Sequence, residues 1–335
     1  MMAKSGDTLV PKASRHPVTL ASRVGVALIG LGAICSGRAD AQLAGEHVLL
    51  QFGLKSGSQP PPGAYLAPTY LNWDVDKIID RNGNEIPIGG LAVHGLAFFG
   101  WGVTQKKLLG GNYGFQIIVP LVSSNLEFPR LGLQTGSGLG LGDIYAQPIN
   151  LGWHKERIDY MAGLAFYAPT GSYTPQGRDN KGLGMWSFEL SGGATFYLDQ
   201  KKQYHFSALG FYEVHTKKQD QDLKVGSMLT WEGGLGGTFL KGALNVGAVY
   251  GAQWKVTDDS GNDFPSTLLP GNNHIYTLGP EVTFTGFYKP PWVASLTARY
   301  LWDLGAKSSF EGKRLIIFLT LGWLNIPPKG AEAPE

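Results

Sequence analysis

The chain has 335 residues, of which 48 are glycine and 16% are charged, and its formal net charge is +2. Ordinary proteins contain about 7% glycine and about 25% charged residues, so this composition is rich in glycine and poor in charge. A chain so close to neutrality has no electrostatic reason to bind nucleic acid, and we expect no nucleic-acid partner. Its single cysteine, Cys35, excludes an intramolecular disulfide framework.

The first 41 residues have the three parts of a secretory signal. A basic lead precedes an apolar core, Val24–Cys35, and the small-x-small sequence Ala39–Ala41 follows it. The apolar core is shorter than the roughly 20 residues of a membrane-spanning helix. A lipoprotein signal is the alternative, but Ile34 stands where such signals have a small residue. We therefore predict a signal peptide over residues 1–41, whose removal leaves 23 basic against 24 acidic residues.

After this leader, apolar and polar residues alternate with a period of two. From residue 186 to residue 198 every even position is apolar or glycine, so that Phe188 and Glu189 belong to opposite faces. Such alternation is typical of strands with one apolar and one polar face, and no apolar run reaches 18 residues. Twelve strands are predicted, near residues 64–76, 90–104, 112–124, 142–154, 157–168, 184–198, 203–215, 224–239, 242–255, 274–287, 292–303 and 313–324.

The connections between these strands alternate in length. Residues 77–89, 125–141 and 256–273 form long links, whereas 155–156 and 240–241 leave room only for tight turns. Outer-membrane barrels have this pattern, with long loops outside the cell and short turns in the periplasm. The fold class predicted is therefore all-β: a transmembrane antiparallel β-barrel of about twelve strands over residues 42–324, with a periplasmic C-terminal tail over 325–335. A secreted β-sandwich is the alternative.

The tryptophans favour the barrel, because indole rings concentrate at the headgroup level of a membrane. Only Trp231 lies in the middle of a predicted strand. The other eight lie at or near predicted strand ends and are assigned to two aromatic girdles: Trp73, Trp101, Trp153, Trp186, Trp254, Trp292, Trp302 and Trp323. This placement predicts the outer membrane as the location, with outer-membrane lipid and lipopolysaccharide as partners.

Four segments of the chain resemble a known family. They are Pro62–Tyr65, Gly142–Trp153 (GDIYAQPINLGW), Ala165–Tyr173 (AFYAPTGSY) and Gly279–Val282 (GPEV). In this order they resemble the outer-membrane family of the meta-pathway of phenol degradation, the SphA-like transporter family. The resemblance implies a barrel linked to the uptake of hydrophobic, often aromatic, compounds and a small hydrophobic or aromatic solute as its partner.

A barrel of this kind also implies the barrel-assembly machinery as a partner. Barrel proteins usually end on an aromatic residue that this machinery reads. Here Trp323 and Leu324 are followed by Asn325–Glu335, so we expect an internal signal within Leu315–Trp323.

Charged residues on membrane strands are expected to face the lumen, because Lys or Arg on the lipid face costs roughly 2–4 kcal/mol at mid-depth. Two interpretations stay open: a hydrated path or polar binding site, or a salt-bridged plug that fills a narrow barrel. The candidate lumen-lining residues are Asp143, Gln147, Asp159, Glu189, Glu213, Glu232, Glu281, Arg299 and Lys255, together with Asp303, Asn245 and Gln253.

Signals of catalysis and of ligand binding are weak. The glycine-rich stretch 138–143 lacks the strand–turn–helix context of a nucleotide site, and Asp258–Asp263 lacks the glutamate of a calcium loop. We predict no catalytic residues, no metal site and no cofactor; five histidines lie outside any recognisable Ser/His signature, namely His94, His154, His205, His215 and His274.

The function predicted is passive uptake of small, hydrophobic or aromatic compounds through a channel. Two alternatives are a non-conducting barrel that binds or adheres through its outer loops and, with less support, a hydrolase at the outer rim.

Overall fold

The computed structural model describes residues 44–80, 82–128, 133–175, 180–263, 273–286 and 291–325. The predicted signal peptide (1–41) and nearly all of the predicted tail (325–335) lie outside the described residues. The strands are β1 (Gly63–Ile79), β2 (Glu85–Leu108), β3 (Gly111–Phe128), β4 (Leu133–Leu141), β5 (Ile144–His154), β6 (Ile158–Ala168), β7 (Ser187–Tyr197), β8 (Tyr204–His215), β9 (Met228–Phe239), β10 (Leu244–Lys255), β11 (His274–Gly286), β12 (Trp292–Lys307) and β13 (Ser309–Leu324).

The sheet closes on itself, since β1 pairs antiparallel with β2 on one side and with β13 on the other. β3 pairs with β5 through its first half and with β4 through its second half, so β4 and β5 share one place in the wall. The result is a closed antiparallel barrel of twelve strand positions, as the sequence predicts.

Two predicted long links are shorter in the structure. Residues 77–89 lie mostly in strands, because β1 and β2 stay paired out to Ile79 and Glu85. Residues 125–141 contain the end of β3 and all of β4. Strands that project beyond a membrane have water on both faces, so the alternation that reveals a strand in the sequence fades there. The predicted loops were wrong for this reason.

The outside of the barrel is apolar and the inside polar. In β7 the side chain of Phe188 is 49% exposed and that of its neighbour Glu189 is 3% exposed. Leu164, Leu235 and Leu296 are likewise about half exposed on the outer face. A continuous apolar exterior on a closed sheet is the architecture of an outer-membrane barrel, in which lipid covers that face. Within the described residues no helix is long and apolar enough to span a membrane.

Two tryptophans do not lie in the predicted girdles. Trp73 faces inward and its indole N–H donates to Asp303 Oδ2 at 3.0 Å. Trp101 also faces inward and stacks on Tyr65 with 5.2 Å between ring centroids. Both tryptophans occupy strand positions whose side chains point into the barrel. An indole N–H that is buried there needs a hydrogen-bond acceptor. The girdle assignment was wrong for these two, while other tryptophans are 41–49% exposed on the outer face: Trp186, Trp292, Trp302 and Trp323.

A substitution at an outward-facing position near the middle of the membrane tests directly which side of the wall contacts lipid. Leu164 lies at the centre of β6 and is 49% exposed. Leu164→Arg is expected to destabilise the folded barrel by about 2–4 kcal/mol, because it puts a cation into hydrocarbon. Unfolding by urea in lipid vesicles, followed by the heat-modifiable band on gels, measures the change. Leu164→Met is the control; equal stability of the two variants would contradict the lipid-facing assignment.

The two ends of the barrel differ. The end that carries Gly63 and Leu324 has short connections such as 109–110 and 155–157. The opposite end has the long loops that follow β6, β8 and β10. Short turns belong to the periplasm and long loops to the cell exterior, which fixes the orientation.

Candidate functional site

Residues 44–62 run through the lumen and are not part of the wall; we call them the plug segment. Its side chains are packed inside the barrel, and Leu50 and Leu54 are 0% and 1% exposed. The segment starts in the extracellular half and descends to Pro62, from which β1 begins. The sequence does not reveal this element, whose only signal is a stretch without alternation between the predicted cleavage site and the first strand.

The extracellular end of the plug segment is held by three wall carboxylates. The backbone N–H of Glu46 donates to Glu213 Oε1 at 2.7 Å. His47 Nδ1 lies 2.8 Å from Glu189 Oε2, and its Nε2 lies 3.6 Å from Glu232 Oε2. The side chains of His47, Glu189, Glu213 and Glu232 are all buried, and the imidazole, in its protonated form, compensates two of the carboxylates.

An ion pair on the wall holds the middle of the plug segment. Arg299 Nε pairs with Glu281 Oε2. The second arm of the guanidinium donates to the carbonyl oxygens of Leu50 and Gln51 at 2.8 and 3.2 Å. Gly53 lies against this ion pair so closely that a Cβ atom would overlap both side chains. The guanidinium group of Arg299 therefore links the barrel wall to the plug segment.

Inward-facing glycines make room for the plug segment. Gly234, Gly236 and Gly247 lie around Leu54, and a Cβ atom at any of them would come within 3.0 Å of that side chain. Larger residues here would displace the plug. The high glycine content of the chain thus has a packing reason in this part of the lumen.

Hydrogen bonds hold the periplasmic end. Ser58 Oγ donates to Asp159 Oδ2 at 2.5 Å, and the hydroxyl of Tyr197 donates to the same oxygen at 2.7 Å. Gln59 Nε2 donates to Asn150 Oδ1 at 2.7 Å. Polar wall groups at both ends and in the middle of the lumen therefore have partners on the plug segment.

The candidate lumen residues lie inside the barrel but do not form one set. Glu189, Glu213 and Glu232 come together at the extracellular end of the plug segment, and Glu281 pairs with Arg299. That they line a path for solute stays a prediction. Those that are buried are Asp143, Gln147, Asp159, Glu189, Glu213, Glu232, Glu281, Arg299, Lys255 and Asp303, whereas Asn245 and Gln253 are half-buried.

Three extracellular loops, those after β6, β8 and β10, fasten to one another and form a lid. Lys218 Nζ donates to the carbonyl of Leu183 at 2.6 Å, and Lys224 N donates to the carbonyl of Ser260 at 2.7 Å. Burial lowers the pKa of Lys218 to about 8. Met185, Leu223 and Val225 form an apolar cluster in the lid, partly covered by Leu183.

The lid contacts also involve Lys255 and the acidic stretch 258–263, both of which the sequence singles out. Lys255 Nζ lies 2.8 Å from Asp259 Oδ2, so its partner belongs to a loop and not to the lumen. The other oxygen of Asp259 accepts the backbone N–H of Gly226 at 2.7 Å. The acidic stretch 258–263 therefore contributes hydrogen-bond acceptors that join loops.

A cavity of about 840 Å³ lies beside the plug segment in the periplasmic half of the barrel. One part of its wall is aromatic, where Phe99 packs on Phe318 with 5.6 Å between centroids. The adjoining part carries hydroxyl groups, and Thr283 and Thr297 share a hydrogen bond of 2.8 Å across β11 and β12. The lining side chains of these two parts are Tyr65, Phe99, Trp101 and Phe318, then Thr283, Thr285, Ser295, Thr297 and Thr320.

One Ser–His contact is present that the sequence did not reveal. Ser187 Oγ lies 2.8 Å from His215 Nδ1, and Glu213 Oε1 lies 3.5 Å from the same nitrogen. A catalytic relay needs serine and carboxylate on opposite ring nitrogens. The serine hydroxyl and the carboxylate here share one nitrogen, and Ser187 is 0% exposed, so the arrangement is not that of a hydrolase.

Comparison with known proteins agrees with the architecture. The family model described as "Putative MetA-pathway of phenol degradation" matches residues 75–318. The chain belongs to this family. No curated protein matches it in sequence.

The solved structures that resemble this family member have low sequence identity to it. The COG4313 outer membrane channel from Pseudomonas putida F1 has a TM-score of 0.65 at 14% identity, over 80% of this chain and 97% of that one. The TodX and CymD monoaromatic hydrocarbon channels have TM-scores of 0.41 and 0.39 at 10% and 9% identity, over 79% of this chain and 91% and 89% of theirs. The TM-score of the Pseudomonas putida channel shows the fold. The TM-scores of TodX and CymD are too low to support a conclusion.

Two of the four segments on which the resemblance to this phenol-degradation family rests, 142–153 and 165–173, meet in space. Asp143 accepts the backbone N–H of Gly171 at 2.9 Å and that of Leu183 at 2.6 Å. The hydroxyls of Tyr145 and Tyr167 both lie 3.4 Å from the carboxylate of Glu189. The two segments therefore shape the wall that faces the extracellular end of the plug segment.

Proposed function

We propose that this barrel is an outer-membrane channel for the passive uptake of small hydrophobic compounds, aromatic ones above all. The observation that carries the proposal is the cavity beside the plug segment, whose aromatic side chains include Phe99, Trp101 and Phe318. Its volume lies within the 300–1,000 Å³ of ordinary small-molecule sites, which are mostly apolar. The description of the family, and the channel function of the Pseudomonas putida protein with the same fold, support this proposal.

The plug segment argues against a water-filled pore. It occupies the lumen from the extracellular carboxylates to Ser58, and the lid lies above it. An apolar solute gains contacts with the aromatic part of the cavity wall, whereas a sugar or ion would give up its hydration there. No catalytic step is part of the proposal.

Lipopolysaccharide and the barrel-assembly machinery are proposed partners, supported by the apolar exterior of the barrel.

A substitution that fills the cavity tests the proposal. Ser295 points into the cavity, whereas its neighbour Leu296 is 52% exposed on the lipid face of the same strand. Ser295→Phe is expected to weaken binding of naphthalene by at least about tenfold, because a ring then occupies the site of the solute. Calorimetric titration of the protein in detergent measures the dissociation constant. Leu296→Phe adds a ring outside and serves as the control; unchanged binding by the Ser295 variant would refute the assignment of the cavity.

We also propose that the leader is cleaved after Ala41. In support, residues from Ala44 onward lie inside the barrel, and Glu46 already bonds to the wall. A retained leader would have to leave through the lid. Mass spectrometry of the protein extracted from outer membranes is expected to give a chain that begins at Gln42. A mature chain that retains the apolar core Val24–Cys35 would contradict this.

A further inference from the structure

The periplasmic rim of the barrel is mostly basic. The turns after β2, β5, β7 and β9, with the strand ends beside them, hold three acidic residues, Glu156, Asp159 and Asp199. The same part of the chain holds seven basic residues, which we call the basic arc: Lys106, Lys107, Lys155, Arg157, Lys201, Lys202 and Lys241. In the lid at the other end the charges are nearly balanced, with five acidic and four basic residues among those that the structure describes.

These turns touch one another and make one continuous surface. The indole N–H of Trp153, at the end of β5, donates to the carbonyl of Leu109 in the turn after β2 at 3.1 Å. Lys202 Nζ donates to the carbonyl of Lys155 at 2.8 Å. Thr238 N, next to the turn after β9, donates to the carbonyl of Gln203 at 2.8 Å. The basic arc therefore extends along the rim from β2 to β10.

Few of these cations are compensated within the protein. Lys202 lies 3.5 Å from Asp159, and Arg157 donates to the carbonyls of Tyr197 and Leu198. The carboxylate of Asp199 accepts backbone N–H groups of its own turn. In the part of the chain that the structure describes, the other five members make no ion pair, and all five are exposed: Lys106, Lys107, Lys155, Lys201 and Lys241.

Large apolar side chains are interleaved with the basic arc. Leu109 is 82% exposed and Leu240 is 68% exposed, and Leu108 and Leu198 are about half exposed. Leu109 and Leu240 have φ angles of 52° and 51°, in the left-handed region that disfavours a side chain. In the part of the chain that the structure describes, these leucines project from tight turns and remain exposed, which makes them available to a partner outside the protein.

The level of these leucines in the membrane identifies what they contact. Trp153, whose indole N–H bonds to the Leu109 carbonyl, stacks on Tyr160 with 5.1 Å between centroids on the outer face. Aromatic residues in this position mark the boundary between hydrocarbon and headgroups. Leu109 and its lysine neighbours therefore lie at the headgroup level, where leucines enter the acyl boundary and lysines reach anionic groups.

We propose that the basic arc binds the headgroups of anionic phospholipids in the periplasmic leaflet of the outer membrane. Charge complementarity favours an anionic ligand, and the interleaved leucines at the girdle level favour a lipid over a soluble acidic protein. The arc would bind several headgroups at once, since its cations are spread over four neighbouring turns.

The test measures lipid preference with the mature full-length protein refolded into phosphatidylcholine vesicles. Spin-labelled phosphatidylglycerol and spin-labelled phosphatidylcholine are compared for the fraction held at the protein surface. In about 10 mM salt, where the Debye length is about 30 Å, we expect phosphatidylglycerol to be preferred by about three- to tenfold. In about 1 M salt, where the Debye length is about 3 Å, the preference should disappear.

Two matched variants locate the preference. Lys106→Gln, Lys107→Gln, Lys201→Gln and Lys241→Gln together should abolish it, and because these side chains are exposed the barrel should still fold. The control has four exposed lysines of the extracellular end replaced and should keep the preference: Lys217→Gln, Lys224→Gln, Lys307→Gln and Lys313→Gln.

Three outcomes would overturn the proposal. The first is equal association of the two lipids with the wild-type protein, and the second is a preference that survives in the arc variant. The third is binding of polyglutamate by the arc without any preference for phosphatidylglycerol, which would assign the surface to an acidic protein.

Discussion

Deletion of residues 44–58 is expected to turn a nearly silent barrel into an open pore. The deletion removes the plug segment down to Ser58 and leaves Gln59–Pro62 before β1. The wall is closed by its own strand pairs, so the barrel should still form. A twelve-stranded barrel without a plug lies between filled eight-stranded barrels and open porins, and we expect single-channel conductance to rise by at least about tenfold.

A disulfide that can be reduced, placed between the plug segment and the wall, provides the control for this deletion. Ser56 Oγ lies 3.1 Å from Ser207 Oγ on β8, which places the two residues close enough for a cysteine pair. The oxidised Ser56→Cys/Ser207→Cys variant should stay silent, and reduction should return it to the wild-type conductance. A wild-type protein that already conducts as well as the deletion variant would show that the plug segment does not close the lumen.

Arg299→Met is expected to destabilise the barrel by about 3–5 kcal/mol, the cost of breaking a buried ion pair from one side. Glu281 would be left buried without its cation, and the carbonyls of Leu50 and Gln51 would lose their donor. Unfolding by urea in vesicles measures the stability. Cleavage of the plug segment by added protease reports whether it has left the lumen.

Removal of both charges separates the ion pair from the plug contact. Arg299→Met combined with Glu281→Leu should recover much of the stability, since a buried ion pair is often no better than apolar residues of similar volume. The plug segment should nevertheless stay more sensitive to protease, because the guanidinium donors are still absent. A single Arg299→Met variant as stable and as protected as the wild type would contradict the role given to this ion pair.

The wall of the barrel could be predicted from the sequence because its environment imposes the pattern. Lipid outside and polar groups inside force a period of two, so Phe188 and Glu189 fall on opposite faces, and the structure has the first exposed and the second buried. The pattern fails where that environment ends. β4 and the outer parts of β1 and β2 have water on both faces, so the sequence predicts loops there.

The plug segment could not be predicted in the same way. Its backbone bonds to wall side chains far away in the sequence, as Glu46 does with Glu213 and Ser58 with Asp159. The alternation of apolar and polar residues indicates that a carboxylate faces inward, but it does not indicate which group binds that carboxylate. The inward tryptophans show the same limit: Trp73, near the end of its predicted strand, has the residue type of a girdle but bonds to Asp303 inside the barrel.

The central claim is that this barrel admits apolar solutes while the plug segment excludes hydrophilic ones. The most direct test is the initial rate of uptake of labelled naphthalene and of a labelled disaccharide by Gram-negative cells that lack their own porins and hydrocarbon channels. Cells that express the wild-type protein should take up naphthalene several times faster than cells with the empty vector, and the disaccharide no faster. Faster uptake of the disaccharide, or no gain for naphthalene, would contradict the account.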